Sequence, residues 1–528
     1  MGKRLLALVL TALLVLSMSS GAFAAADAPK ELVYGQINMQ AVLDRQITTY
    51  LETEQISKNI YEGLLYNDPF TGELEPRLAE SFDVSADNLV YTFQLRKGVT
   101  FHDGSAFTAD DVKFTYERIL TPATGALISE DFVPIHGAQD MLAGTATELA
   151  GLKIIDDYTL EVTLDAPYAV FPSYCGSTAI YPRAACTEAG DDWGWAVMIG
   201  TGPFKLQEHI RDTGLRMVRN EEYWGEKPKI DSVYWKWYED ANTMLLDYEA
   251  GNLDSMIVDT PFVPLYSSDA TFKDQLNYFS PYGHFFVIFN FEMDPWKENP
   301  KAREAFSYAI DIDGICNDLF EGNFTPASCL LAPGMLGQNP IEPKAYDPEK
   351  AKALLAEAGY PDGVDITMIT TSLEGTGGKM IIAMQETAAA GGFRIQVEQV
   401  DRAVWTEIRN GGQVPTFIAN WYLDTADPDG ILYGFFHSEN NGYFSSLYKN
   451  EAFDSLLEEA RRTPDDAARA ALYEKADKIL VEEDFVTTPI AWPNTFYFTA
   501  PWLQDFKTEN YTPSFIVCDI DTAAQPTR

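Results

Sequence analysis

Apolar and polar positions set out a chain that mixes strands and helices without strict alternation. Residues 89–95 alternate apolar and polar side chains through Tyr91, Phe93 and Leu95, the period of a half-buried strand. Leu160, Val162 and Leu164 repeat the pattern, and Asp156-Asp157 before them supplies a turn. A hairpin with residues 153–155 is therefore predicted. Residues 285–291 form a continuous apolar and aromatic run, which predicts a strand covered on both faces.

Helix starts carry local signals. Thr108-Ala109-Asp110-Asp111 resembles a capping box and is followed by Val112, Tyr116 and Ile119 at helical spacing. Asn299-Pro300 places a cap and a first-turn proline before Phe306, Ala309 and Ile310. Asp347-Pro348 opens a helix with Ala351, Leu354, Leu355 and Ala358 inward, and Gly359 closes it. Thr463-Pro464-Asp465-Asp466 opens another, running to about Glu483. The glycine-rich stretch 375–378 lacks dinucleotide-binding spacing and reads as a plain loop. The class is α/β or α+β in several lobes, and 528 residues make roughly three to four domain-sized units.

Composition narrows the function. Hydrophobic residues at 46% and charged residues at 22% fit a packed globular chain. The net charge of −41 repels phosphate backbones and anionic lipid, which argues against nucleic-acid or membrane-surface partners. Aromatics at 13% suit a large sheet core or the walls of a ligand site.

Residues 1–24 read as a secretory signal. Lys3 and Arg4 are followed by an apolar run over 5–16 and by Ala22-Phe23-Ala24 as a cleavage site. No cysteine follows the apolar run, so a lipid anchor there is not expected, and the mature chain is expected in the periplasm. In an oxidising compartment, Cys175 with Cys186 and Cys316 with Cys329 are spaced to close short loops, each worth about 3 kcal/mol. The alternative is that these cysteines are small buried hydrophobes.

Enzyme signatures are missing. The chain has no G-x-S-x-G, H-E-x-x-H, P-loop or EF-hand loop, and its five histidines lack partners at metal spacing. No cofactor is expected, nor is catalysis; a secreted hydrolase built on an unrecognised carboxylate pair is the remote alternative. Residues 420–436 stand out instead. An apolar lead-in (Phe417, Ile418, Ala419) runs into Trp421 and then Asp424 in a turn-forming sequence. The end of a buried strand is where α/β folds place ligand groups. A carboxylate there would receive an ammonium and the indole would wall the site; the other reading makes Asp424 a helix cap in a solvated turn.

Six motifs in order resemble the extracytoplasmic solute-binding proteins of peptide ABC importers, family 5, the oligopeptide- and dipeptide-binding class. They are residues 74–81 (LEPRLAES), 95–104 with 108–112 (LRKGVTFHDG, TADDV), 200–204 (GTGPF), 220–225 (NEEYWG), 303–311 (REAFSYAID) and 347–351 (DPEKA). The resemblance spans essentially the whole mature chain. It implies an α/β, periplasmic-binding-protein-like clamp (type II, cluster C) of two lobes with an additional third domain. The implied division is 25–58, 199–283 and 490–528 for a discontinuous first lobe, 59–198 for the extra domain and 284–489 for the other lobe.

The family's W-x-x-D-x-x-acidic-P motif falls on Trp421, Asp424, Asp427 and Pro428. The resemblance thus gives Asp424 the peptide α-ammonium and puts Trp421 and Tyr422 on the same wall. Counting back from residues 61–64 adds Thr49, Tyr50 and Leu51. Tyr282 and Trp492 at the lobe crossings are further wall candidates, or core and hinge packing. Where dipeptide binders carry an arginine for the ligand carboxylate, this chain reads TTSLEG at 370–375, with Lys379 the nearest cation. The expected function is capture of a peptide without chemistry by lobe closure, serving an inner-membrane permease and ATPase complex, by a monomer that needs no nucleic acid. The alternative is the same fold holding an oligosaccharide, opine, nickel chelate or haem.

Overall fold

The computed structural model describes residues 29–526 except 39–41, 49, 69–73, 340, 342–343, 374, 424 and 510–511. The signal segment, Thr49 and Asp424 therefore lie outside the described residues.

Three larger sheets organise the described residues. The largest has seven strands, in the order Leu276–Phe279, Thr495–Thr499, Ser255–Val258, Glu31–Ile37, Ser232–Tyr238, Gly214–Arg219 and Phe204–Ile210. Its central strand Glu31–Ile37 runs parallel to both neighbours. A second sheet of four strands takes residues from 79 to 163 only. There Val90–Leu95 buries Tyr91, Phe93 and Leu95, and Leu152–Asp156 pairs with Thr159–Thr163 as the predicted hairpin. The third sheet is antiparallel, in the order Phe324–Pro326, Thr487–Pro493, Gly283–Phe289 and Thr416–Tyr422. All seven residues of Gly283–Phe289 are buried, as expected of a strand covered on both faces.

The helix starts follow their caps. The Thr108 amide donates to Asp111 Oδ2 at 3.0 Å ahead of the helix Ala109–Leu120. Asn299 and Asp347 accept from backbone amides three residues on and open Pro300–Ala309 and Pro348–Glu357. Asp465 opens Asp466–Lys478, which continues as a π-helical turn over Ile479–Glu483. Residues 376–378 correct the loop reading: they form the first turn of the helix Thr376–Ala390. A Cβ on Gly378 would meet the Ser372 carbonyl oxygen at 2.1 Å, so the glycine serves close packing of the helix start.

The two possible disulfides are not formed, and the alternative holds: all five cysteines are buried free thiols. Each candidate pair is divided between two cores. Cys175 packs in the core around Phe93 and Tyr116, and Cys186 in the one around Tyr61 and Trp193. Cys316 lies in the core around Phe289 and Phe306 and donates to the Ile490 carbonyl at 3.8 Å. Cys329 lies in the core around Phe286 and Phe436 and donates to the Leu331 carbonyl at 3.4 Å. Burial pushes all four thiols up to about 12, so they behave as small apolar groups.

Candidate ligand-binding site

A cavity of about 530 Å³ opens where distant parts of the chain meet. One wall is Arg45, Gln46 and residues 50–52 with Glu54; another is Leu127, Ile128, Asp131, Tyr174 and residues 177–179. The third is residues 420–423 with Thr425 and Gly430, at the end of the strand Thr416–Tyr422. Such a volume is that of a small-ligand site.

Strand pairing places the third wall. Thr416–Tyr422 runs antiparallel to Gly283–Phe289, with Trp421 opposite His284 and Tyr422 opposite Gly283. A Cβ on Gly283 would meet the Tyr422 ring at 2.8 Å and Pro493 at 2.6 Å, so glycine leaves the room in which that ring and the proline sit. Burial pushes the Tyr422 phenol up to about 12. Trp421 is held edge-on by Phe435 at 4.8 Å and Tyr443 at 5.8 Å between ring centres. Past the strand, the Leu423 amide donates to the Tyr282 carbonyl at 2.8 Å.

The turn is then pinned by charge. Asp427 pairs with Arg469, both side chains nearly buried, and its carboxyl is pushed up by burial and drawn back by Arg469. Asp429 pairs with Arg461 through two contacts, at 2.7 and 2.8 Å. Asp429 opens the helix Asp429–Phe436.

On the first wall, Tyr50 precedes the helix Leu51–Ser57 and is 45% exposed. Glu54 is held by Arg45 and by Lys58. Glu52 is raised above the ordinary carboxyl range by burial. A second cavity of about 320 Å³ shares Asn420 and Trp421 with the first. It is lined by residues 369–372, Gly375, Trp405, Arg409, Tyr443 and Phe444, among others. Arg409 lies 4.4 Å over the Tyr443 ring.

Of the residues named from sequence, Tyr50, Leu51, Trp421 and Tyr422 thus line one cavity, although some 370 residues separate the two pairs. Tyr282 and Trp492 are each 8% exposed and pack in the core with Phe286 and Ala419, off the cavity lining. Arg409, rather than Lys379, is the cation on the wall of the second cavity, and sequence reasoning missed it. Its signal was weak: it stands twelve residues before Trp421, on the helix Arg402–Asn410. No cluster of His, Cys, Asp and Glu fit for a metal ion occurs among the described residues, nor does a helix long and apolar enough to cross a membrane.

The chain's relatives share this architecture. Residues 73–443 match the model of bacterial extracellular solute-binding proteins, family 5 Middle. The chain is 29% identical over 479 residues to the glutathione-binding protein GsiB of Escherichia coli K12, covering 88% of this chain and 89% of that one. Among solved structures it is similar to DppA of Helicobacter pylori in complex with the peptide STSA. That match is 26% identical with a TM-score of 0.75, over 93% of this chain and 98% of that one. The murein tripeptide binding protein MppA of Escherichia coli, 24% identical with a TM-score of 0.76 over 93% and 98%, shows the same fold. Binding proteins of this kind are not enzymes, and the fold is their two-lobe clamp. The chain belongs to the bacterial extracellular solute-binding proteins of family 5, the binding components of ABC importers.

Proposed function

We propose that this protein captures a short peptide with a free α-amine in the cavity between Tyr50–Leu51 and Trp421–Tyr422, and releases it unchanged to an importer. The observation that carries the reading is that cavity, walled by these two separated segments. Leu423 and Thr425, on either side of Asp424 in the chain, both line it, which supports giving Asp424 the ligand ammonium. A buried carboxylate is tolerable only when a cation replaces its water. Arg409, on the adjoining cavity, is the group we assign to the ligand carboxylate. The relatives' ligands support the class: GsiB is named for glutathione, and DppA was solved with a four-residue peptide.

The same reading divides the chain into lobes of 25–58, 199–283 with 490–528, and 284–489, with 59–198 as the extra domain. It makes the paired segments Gly283–Phe289 and Thr487–Pro493, where Phe285 faces Ala491, the crossings between lobes. It also makes the protein an exported monomer that delivers solute to a permease and ATPase complex.

Calorimetry tests the reading with tri-alanine, its N-acetylated form and its C-terminal amide. Free tri-alanine should bind at least tenfold more tightly than either blocked peptide. Equal affinity for the free and N-acetylated peptides would remove the ammonium from the account. A sugar or metal chelate co-purifying in a native mass spectrum, with no binding of tri-alanine, would overturn the peptide class.

A further inference from the structure

Arg461 closes the helix Glu451–Arg462, whose Phe453, Leu457 and Ala460 pack in the core of the third sheet. Its guanidinium reaches beyond that core. It lies 3.1 Å from the centre of the Tyr433 ring and 4.9 Å from that of Tyr168. Tyr168 belongs to the separate core around Phe93 and Tyr116, where it is 3% exposed. The Arg461 carbonyl also accepts from the Ala169 amide, at 2.6 Å. One residue thus joins two cores by a ring face and a backbone hydrogen bond. The same guanidinium holds Asp429, which is 1% exposed.

Both ends of this contact reach the cavity without Arg461 lining it. Tyr168 stacks on Tyr174 with 5.9 Å between ring centres, and Tyr174 lines the cavity. Asp429 donates its amide to Asp427 Oδ1 at 3.0 Å and precedes Gly430, also on the lining.

We propose that Arg461 is a positioning residue that clasps the Tyr168–Ala169 segment to the Glu451–Arg462 helix and so sets how readily the clamp opens, independently of any ligand contact. Desolvated by Tyr433 and aligned by Asp429, the guanidinium presents a fixed face to Tyr168. The clasp closes beside the turn that carries Asp427 and Asp429, just past the strand end that carries Trp421, so opening it loosens that turn's far support. This inference rests on the clamp and not on the peptide reading, so its test needs no ligand.

The test is hydrogen exchange, resolved to the Ala169 amide, on ligand-free protein. Wild type is compared with Tyr168→Leu, Arg461→Lys and Tyr168→Phe, each corrected for its intrinsic exchange rate, with small-angle scattering alongside. The Ala169 amide should be protected in wild type and in Tyr168→Phe, which keeps the ring. Protection should fall about 2- to 30-fold in Tyr168→Leu and in Arg461→Lys, the range of a cation–π contact. The radius of gyration should rise in those two variants, and amides inside the helix should keep their wild-type rates. Exchange of Ala169 at the free-peptide rate in wild type would overturn the clasp. So would unchanged protection in both Tyr168→Leu and Arg461→Lys, equal loss in Tyr168→Phe and Tyr168→Leu, or loss of protection throughout the helix.

Discussion

Arg469 carries much of the shape of the site turn. Its side chain is 6% exposed and that of its partner Asp427 11%, so losing the cation strands a buried carboxylate. Arg469→Met should lower unfolding free energy by about 3–5 kcal/mol, measured by denaturant titration. A loss below about 1 kcal/mol, that of a surface pair, would contradict this burial. Asp477 is a second buried acid with a different signature. It accepts the Leu330 amide at 3.1 Å, yet burial pushes its carboxyl up to about 7 against the pull of that hydrogen bond. In the unfolded chain a carboxyl titrates near 4. Between about pH 4 and pH 7 the unfolded chain therefore gives up the proton that the folded chain keeps, and stability falls across that window and levels off above it. Asp477→Asn should gain on wild type in melting temperature as pH rises through the window. A constant difference would contradict the raised carboxyl.

At the scale of elements, the pairing of Gly283–Phe289 with Thr416–Tyr422 builds one wall of the cavity. Gly283→Ala would set a Cβ 2.8 Å from the Tyr422 ring and 2.6 Å from Pro493. Neither neighbour has a flexible end to swing away, so the wall must shift. Tri-alanine affinity should fall at least tenfold while the far-ultraviolet circular dichroism is kept; unchanged affinity would take Tyr422 out of the site. Elements of this kind were legible where their signals are local. Thr108, Asn299, Asp347 and Asp465 cap within their own turn, and the strand 90–95 shows its period within itself. The helix Thr376–Ala390 was missed at its start because Gly377 and Gly378 suggest a loop. The tight approach of Ser372 that makes Gly378 fit is a tertiary fact. The cysteine pairs misled for the same reason. Eleven or thirteen residues of separation say nothing about which core each thiol enters.

For the whole molecule, the resemblance placed Tyr50 and Leu51 beside Trp421 and Tyr422, which neither periodicity nor composition could do across such a span. It did not reach Arg409, or the Arg461 contact to Tyr168, because both depend on how helices pack beside the strand end. The assembled picture is a clamp in which a strand end, a short helix start and the segments at 127–131 and 174–179 enclose one volume. The central claim is that a peptide's ammonium is neutralised by Asp424 inside that volume. A crystal structure of the protein with tri-alanine tests it most directly. The account predicts the peptide between Tyr50 and Trp421, intact, with its amine within about 3 Å of the Asp424 carboxylate. A peptide found elsewhere, or an Asp424 carboxylate turned to bulk water with the peptide bound, would contradict it.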